Sequence, residues 1–168
     1  MYQGITKAEM ERQGYILITT VKEGFEHYPY IILEGESNPM KYFLHTVLSE
    51  NKDAAYGDFY YFRLMDQEQE CFRESITEIE RKTLLHFMSS EDQIYYPLNA
   101  ENLDFLADIT ARNILFSSFY FGQKKAIIWG NYDLKYPLFC NNTETLEWYK
   151  KTAGECGLTI GGRDGTTD

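Results

Sequence analysis

The sequence lacks the signatures of secretion, of membrane insertion and of the common catalytic classes. The first twenty residues contain neither a basic region nor a long apolar run, and no later segment approaches about 18 consecutive apolar residues. No H-E-x-x-H pair, Walker lysine or helix-opening G-x-G-x-x-G occurs, and the acidic run from Asp66 to Glu70 lacks the glycine and terminal glutamate of a calcium loop. We therefore expect a cytoplasmic protein with no cofactor, no metal site and no membrane contact.

Cysteine is scarce, and its spacing predicts neither a disulfide framework nor a zinc site. The three cysteines are widely separated and form no C-x-x-C pair: Cys71, Cys140 and Cys156. Cys140 is the best candidate nucleophile, because it precedes a predicted helix whose dipole could lower a thiol pKa. No histidine has a recognisable spacing to it, since the three lie in separate segments: His27, His45 and His86. We therefore predict no catalytic residue, with a buried thiol as the ordinary interpretation of Cys140.

Basic residues are also in short supply. Asp and Glu number 26 against 16 Lys and Arg, for a net charge of −10. Residues 1 to 108 hold 20 acids and 9 bases, so this part carries −11 and the remainder +1. Such a field repels phosphate backbones and anionic lipid and attracts a basic protein, whereas the competing interpretation is that the acidity only maintains solubility.

Aromatic residues, by contrast, are abundant. They make up 16% of the chain and include 14 tyrosines, which is more than a core of this size requires. Tyrosine is favoured at protein interfaces, so we expect some of these rings at the surface.

The hydrophobic patterns predict a single α+β domain, with a mainly antiparallel sheet built from hairpins and four or five helices packed against it. Capping signals predict helices that begin near Thr6, Asn38, Thr77, Asn99 and Asn142. Strands are expected at 15–21 and 30–33, and a hairpin is expected from 59–65 and 70–75. Residues 115–121 could be helix or strand. We place the domain at 1–154 and a flexible C-terminal tail at 155–168.

The segment 126–139 predicts a second hairpin with a type II′ turn at Gly130-Asn131. That register pairs Trp129 with Tyr132 and forms a continuous apolar face, and Pro137 then ends the strand or places it at an edge. A structural role explains these aromatic residues better than a ligand site does.

One cluster remains as a candidate functional surface. Six acids lie between residues 66 and 80 against the single base Arg73, and they follow two tyrosines. The candidate partner-binding residues are Asp66, Glu68, Glu70, Glu74, Glu78, Glu80, Tyr60 and Tyr61. Carboxylates beside aromatic rings can occupy the place where a basic protein normally meets phosphate.

In overall character, this small acidic domain resembles the bacterial immunity proteins that neutralise nuclease-type toxins. No family motif carries the resemblance, and no residue role is transferred from it. It implies a non-catalytic binding protein whose partner is a basic protein such as a toxin domain. Two alternatives stay open: a small cytosolic enzyme that uses Cys140 or an unidentified carboxylate pair, and a structural or scaffolding domain. The oligomeric state is left open as well.

Overall fold

The computed structural model describes residues 1 to 161, which form one α+β unit organised by a seven-stranded sheet. All neighbouring strands in it are antiparallel. The strands are β1 Tyr30–Glu34, β2 Ala55–Asp58, β3 Tyr95–Pro97, β4 Phe119–Phe121, β5 Ala126–Ile128, β6 Lys135–Cys140 and β7 Thr159–Gly161. Their order across the sheet is β3-β2-β4-β5-β6-β1-β7. The predicted fold class is confirmed.

Seven α-helices accompany the sheet within the described residues. They are α1 Lys7–Arg12, α2 Val21–His27, α3 Ser37–Glu50, α4 Asp66–Ser75, α5 Glu78–Leu84, α6 Ala100–Ala111 and α7 Thr143–Glu155. The capping boxes at Thr6 and Thr77 are confirmed, as are the caps at Asn99 and Asn142. The two helices that the patterns did not predict are α2 and α4.

The middle of the sheet is buried on both faces, which explains why β4 and β5 are apolar throughout instead of alternating. On β4, Phe119 and Phe121 belong to the larger hydrophobic cluster, which also contains the buried sides of α3, α6 and α7. Tyr120, between them, belongs to a second cluster with Met10 of α1 and Ile127 of β5. Residues 115–121, which periodicity left undecided, thus contribute a fully buried central strand.

The predicted hairpin at 59–65 and 70–75 is wrong. Phe59 is completely buried among aromatic rings, the chain then forms a 3₁₀ helix at Tyr61–Arg63, and α4 follows. Gln69 donates hydrogen bonds to backbone carbonyls of the preceding turn, and acids in the first turn of α4 favour its dipole. Glu, Gln and Arg are good helix formers, and this propensity was the neglected signal.

The predicted strand at 15–21 is also absent. Tyr15 and Ile16 are buried in irregular chain, and α2 begins at Val21, where the Thr20 side chain caps it. In α5, Thr83 and Leu84 are buried, whereas Ile79 is 76% exposed.

The second hairpin exists, but its predicted register is wrong. Ile128 pairs with Leu138, and the connecting loop contains a 3₁₀ helix at Tyr132–Leu134. Gly130 does not have positive φ; Asp133 and Leu134 adopt the left-handed conformation instead. A Cβ at Gly130 would overlap the backbone carbonyl of Ser117, so glycine is required there by close approach.

Pro137 does not end its strand or mark an edge. It lies opposite Ile32 within the interior strand β6, and its carbonyl accepts a 2.8 Å hydrogen bond from the Trp129 amide. The residue expected to stop the sheet therefore lies inside it.

Part of the expected tail belongs to the sheet. Glu155 ends α7, Leu158 is buried, and Thr159–Gly161 pair with β1 as β7. The rest of the expected tail, 162–168, lies outside the described residues.

Candidate functional site

The acidic segment forms α4, and its helical geometry places three carboxylates on one side. Asp66, Glu70 and Glu74 follow one another at four-residue intervals, and all three are exposed. Phe72 anchors the opposite side in the core. We call these three residues the α4 acidic stripe.

A groove with an apolar floor runs between another side of α4 and the segment that follows α6. Its volume is about 620 Å³, and Leu64, Phe72, Ile114 and Leu115 contribute the apolar lining. Glu68 lies on its α4 side. The groove adjoins a shallower depression that shares Ile114 and Leu115 and extends to Phe116 and the exposed ring of Tyr132. Together these two depressions form what we call the α4 groove, an apolar surface with one carboxylate, Glu68, in its lining.

Two of the predicted acids have different environments. Glu78 lies in the first turn of α5 and is exposed. Glu80 is buried and accepts hydrogen bonds of 2.7 and 2.8 Å from the Arg112 guanidinium, while it also closes the Thr77 capping box. Burial raises the pKa of Glu80, but the hydrogen bonds from Arg112 and Thr77 outweigh it, and the pKa is lowered overall. Glu80 is therefore part of an intramolecular ion pair and is not free to meet a partner.

The two tyrosines do not border the acidic stripe. Tyr61 is only 5% exposed, stacks on Phe59, and its hydroxyl accepts a hydrogen bond from Arg73. Tyr60 packs against the second hydrophobic cluster and lines a separate cleft there. The exposed aromatic ring nearest to the groove is that of Tyr132, in the depression that adjoins it.

The separate cleft is a second candidate site, and sequence reasoning missed it. It has a volume of about 400 Å³ and lies where the end of β2 meets the loop before β3, the chain before α2 and the loop after β5. Its polar and aromatic lining includes Lys7, Asp58, Tyr60, Arg63, Tyr95 and Trp129. We call it the Asp58 cleft.

Asp58 is the buried carboxyl group of this cleft, with 2% of the residue exposed. Its Oδ1 accepts a 2.8 Å hydrogen bond from the Ser118 amide, and its Oδ2 accepts one of 2.7 Å from the Tyr120 hydroxyl. Burial raises the pKa of Asp58 to about 7, although the two hydrogen bonds and the charge of Arg63 act in the opposite direction. Asp58 can therefore exchange a proton near neutral pH.

Tyrosines surround this carboxyl group. Burial, together with the charge of Asp58, raises the pKa values of Tyr60, Tyr95 and Tyr120, so their hydroxyls remain protonated. The Tyr95 and Tyr120 rings meet edge to face at 5.4 Å. The signal in the sequence was Asp58 itself, a lone acid within the strongly aromatic run from Tyr56 to Phe62.

The cysteine candidate is sealed inside the core. Cys140 has no exposed surface, and burial raises its pKa well above the ordinary value for a thiol. This is the reverse of what a helix dipole was expected to do, and it removes Cys140 as an accessible nucleophile.

Two of the histidines pair with acids. His45 contacts Asp104 at 2.6 Å, and His86 contacts Glu101 at 3.4 Å. Each pair joins residues distant in sequence, so tertiary packing rather than a catalytic arrangement accounts for them.

The described residues were also compared with the requirements of a metal site and of a membrane-spanning helix. Residues 1 to 161 bring together no group of three or more His, Cys, Asp or Glu that could hold a metal ion. None of the helices in this range combines the length and apolar character needed to cross a membrane.

No family model, curated protein or solved structure significantly matches this chain. Functional inference consequently depends on the residues and geometry of the two surfaces.

Proposed function

We propose that the protein binds a basic protein partner through the α4 acidic stripe and the α4 groove. The observation that supports this proposal best is that one helix carries both features: Glu68, an exposed carboxylate, lines an apolar depression of about 620 Å³, and the exposed stripe lies on another side of the same helix. Met65, at the start of α4, adds a side chain that is 71% exposed. A surface of this kind suits a partner whose apolar anchor is flanked by Lys or Arg.

Charge supports the same partner class. The chain carries −10 overall, and residues 61 to 108 alone hold 11 acids against 4 bases. Such a field speeds the approach of a cationic partner and repels polyanions. The acids of α4 then serve mainly association, whereas the groove supplies the desolvated contact that slows dissociation.

The mechanism of such a protein is occlusion rather than catalysis. A nuclease-type toxin binds its phosphate substrate in a cationic cleft, and the α4 stripe would present carboxylates at that cleft. In this respect the protein resembles the bacterial immunity proteins in character. The tyrosines first expected to anchor the partner are replaced in this role by Met65 and the groove residues.

The test is association kinetics with a panel of basic nuclease-toxin domains, at low and high salt. The variant reverses Glu68, Glu70 and Glu74 to Lys. We expect it to slow association by about tenfold or more at low salt, because steered association commonly gains ten- to a thousandfold from complementary charge. At about 1 M salt the Debye length falls to about 3 Å, and the difference should largely disappear.

A matched control reverses the three exposed acids of α7: Glu144, Glu147 and Glu155. It changes the net charge equally but leaves α4 intact, so its association rate should fall much less. Equal effects of the two triple variants would show that only net charge matters. Failure of every basic domain to bind would favour the scaffolding alternative, in which the acidity serves solubility.

A further inference from the structure

We propose that the Asp58 cleft binds a small planar aromatic ligand that carries an anionic group, of the size and chemistry of a nucleoside monophosphate. This site is separate from the α4 surface and does not depend on the proposed function. Its volume of about 400 Å³ falls within the range of small-molecule pockets.

The floor of the cleft offers a buried, oriented hydrogen-bonding group. The Ser118 amide and the Tyr120 hydroxyl hold one oxygen each of Asp58. A carboxylate has about four acceptor positions, so those two bonds leave capacity for a ligand. A ring N–H or exocyclic amino group is the matching donor, and a buried acceptor of this kind selects strongly for it.

The walls favour a flat ring. Tyr60, Tyr95, Phe116 and Trp129 line the cleft, together with apolar residues of the chain before α2. Aromatic side chains bind bases by stacking, and each stacked ring contributes useful affinity without demanding one particular base. A ligand without an aromatic plane would leave most of this surface unused.

The mouth supplies positive charge. Lys7 and Arg63 are exposed and line the cleft with one exposed acid, Asp92. The Arg63 Nε donates to the Glu91 carbonyl at 2.7 Å, which fixes the side chain while its guanidinium lies 5.6 Å from the Tyr60 ring centre. Two cations at the opening oppose an amine ligand and suit a phosphate or carboxylate. The net charge of −10 disfavours a long polyanion, so a small anion fits better.

The experiment titrates the protein with AMP, GMP, CMP and UMP by isothermal calorimetry, with the matching nucleosides and inorganic phosphate as further probes. We expect at least one monophosphate to bind in the micromolar to millimolar range and more tightly than its nucleoside. Replacing Lys7 or Arg63 with Gln should reduce that advantage without changing nucleoside affinity.

The decisive comparison is Asp58→Asn against Asp92→Asn, which make the same chemical change on the floor and at the mouth of the cleft. Asp58→Asn should weaken the monophosphate by at least about tenfold, because an NH₂ donor replaces one carboxylate oxygen and the single neutral oxygen that remains is already used by the Ser118 amide. Asp92→Asn removes a negative charge near the phosphate and should leave affinity equal or higher. Circular dichroism confirms that both variants are folded.

Three results would overturn the proposal. They are failure of all four monophosphates to bind at millimolar concentration, equal binding of inorganic phosphate and the nucleotides, and binding that Asp58→Asn leaves unchanged. The second would reduce the site to a pair of surface cations, and the third would place the ligand elsewhere.

Discussion

When the pH rises from acidic to alkaline, the Asp58→Asn variant should lose less stability than the wild type. Asn has the same shape, its carbonyl can accept from the Ser118 amide, and its amide can donate to the Tyr120 hydroxyl. The substitution therefore removes the titrating group, can keep the hydrogen bond from the Ser118 amide and reverses the one with the Tyr120 hydroxyl. What it changes is the cost of a buried negative charge.

The sign follows from the raised pKa. Asp58 has a pKa of about 7 in the folded protein against the ordinary 3.8, so the folded state holds its proton more tightly. The resulting stability is fully present below about 3.8 and is lost as pH rises through about 7. At about 1.4 kcal/mol per pH unit, the whole effect is about 4 kcal/mol. Between about pH 5 and pH 8 the wild type should lose about 2 to 3 kcal/mol relative to Asp58→Asn.

Urea denaturation of both proteins across that pH range measures this difference. The neighbouring tyrosines do not interfere, because burial raises the pKa values of Tyr60, Tyr95 and Tyr120 further above neutrality. Asp92→Asn is the control, since this exposed residue lines the same cleft and should leave the pH profile of the wild type in place. Parallel stability profiles for the wild type and Asp58→Asn would refute the reasoning, as would a difference that grows in the opposite direction.

Three further predictions concern the fold and the residues excluded from the site. Gly130→Ala should destabilise the protein by about 1 to 3 kcal/mol or more, because the added Cβ would overlap a backbone carbonyl. The control Gly154→Ala in α7 adds a Cβ that meets no atom within 4 Å, so it should be neutral or stabilising by up to about 1 kcal/mol. Thermal denaturation measures both variants, and equal melting temperatures would contradict the prediction. A thiol reagent should label exposed Cys71 quickly and buried Cys140 only on unfolding, as mass spectrometry can show, and rapid labelling of Cys140 would reopen a cysteine enzyme. Glu80→Gln should lower the free energy of unfolding by at least about 1 kcal/mol at neutral pH, and by progressively less as the pH falls through the lowered pKa of Glu80. A decrease in the free energy of unfolding that is independent of pH would argue against the ion pair.

Local rules predicted much of the helical structure. Thr6, Thr77, Asn99 and Asn142 cap the helices that their spacing indicated, because a capping side chain acts only on amides within the next turn. The α+β class followed from the same patterns. In α4, the helix propensity of Glu, Gln and Arg outweighs the pattern that predicted a hairpin.

The register and position of the strands could not be predicted from nearby residues. The assumption of a two-residue turn at Gly130-Asn131 led to the wrong pairing, since the connecting loop is longer and contains a 3₁₀ helix. Pro137 was expected at an edge, but β1 lies alongside it from more than a hundred residues earlier. Such pairing depends on which elements meet, and that is decided by long-range packing.

For the two candidate surfaces too, some properties follow from composition and others only from the tertiary structure. Composition alone determined that the protein is acidic and rich in aromatic residues, and the prediction of a basic partner was based on that charge. Only the tertiary structure distinguished the exposed stripe of Asp66, Glu70 and Glu74 from Glu80. Arg112, at the C-terminal end of α6, donates hydrogen bonds to Glu80. Likewise, Asp58 is one acid among 26 in the sequence, and its raised pKa arises only because folding removes it from water. Charge is a sum over residues, whereas burial and pairing are properties of their arrangement in space.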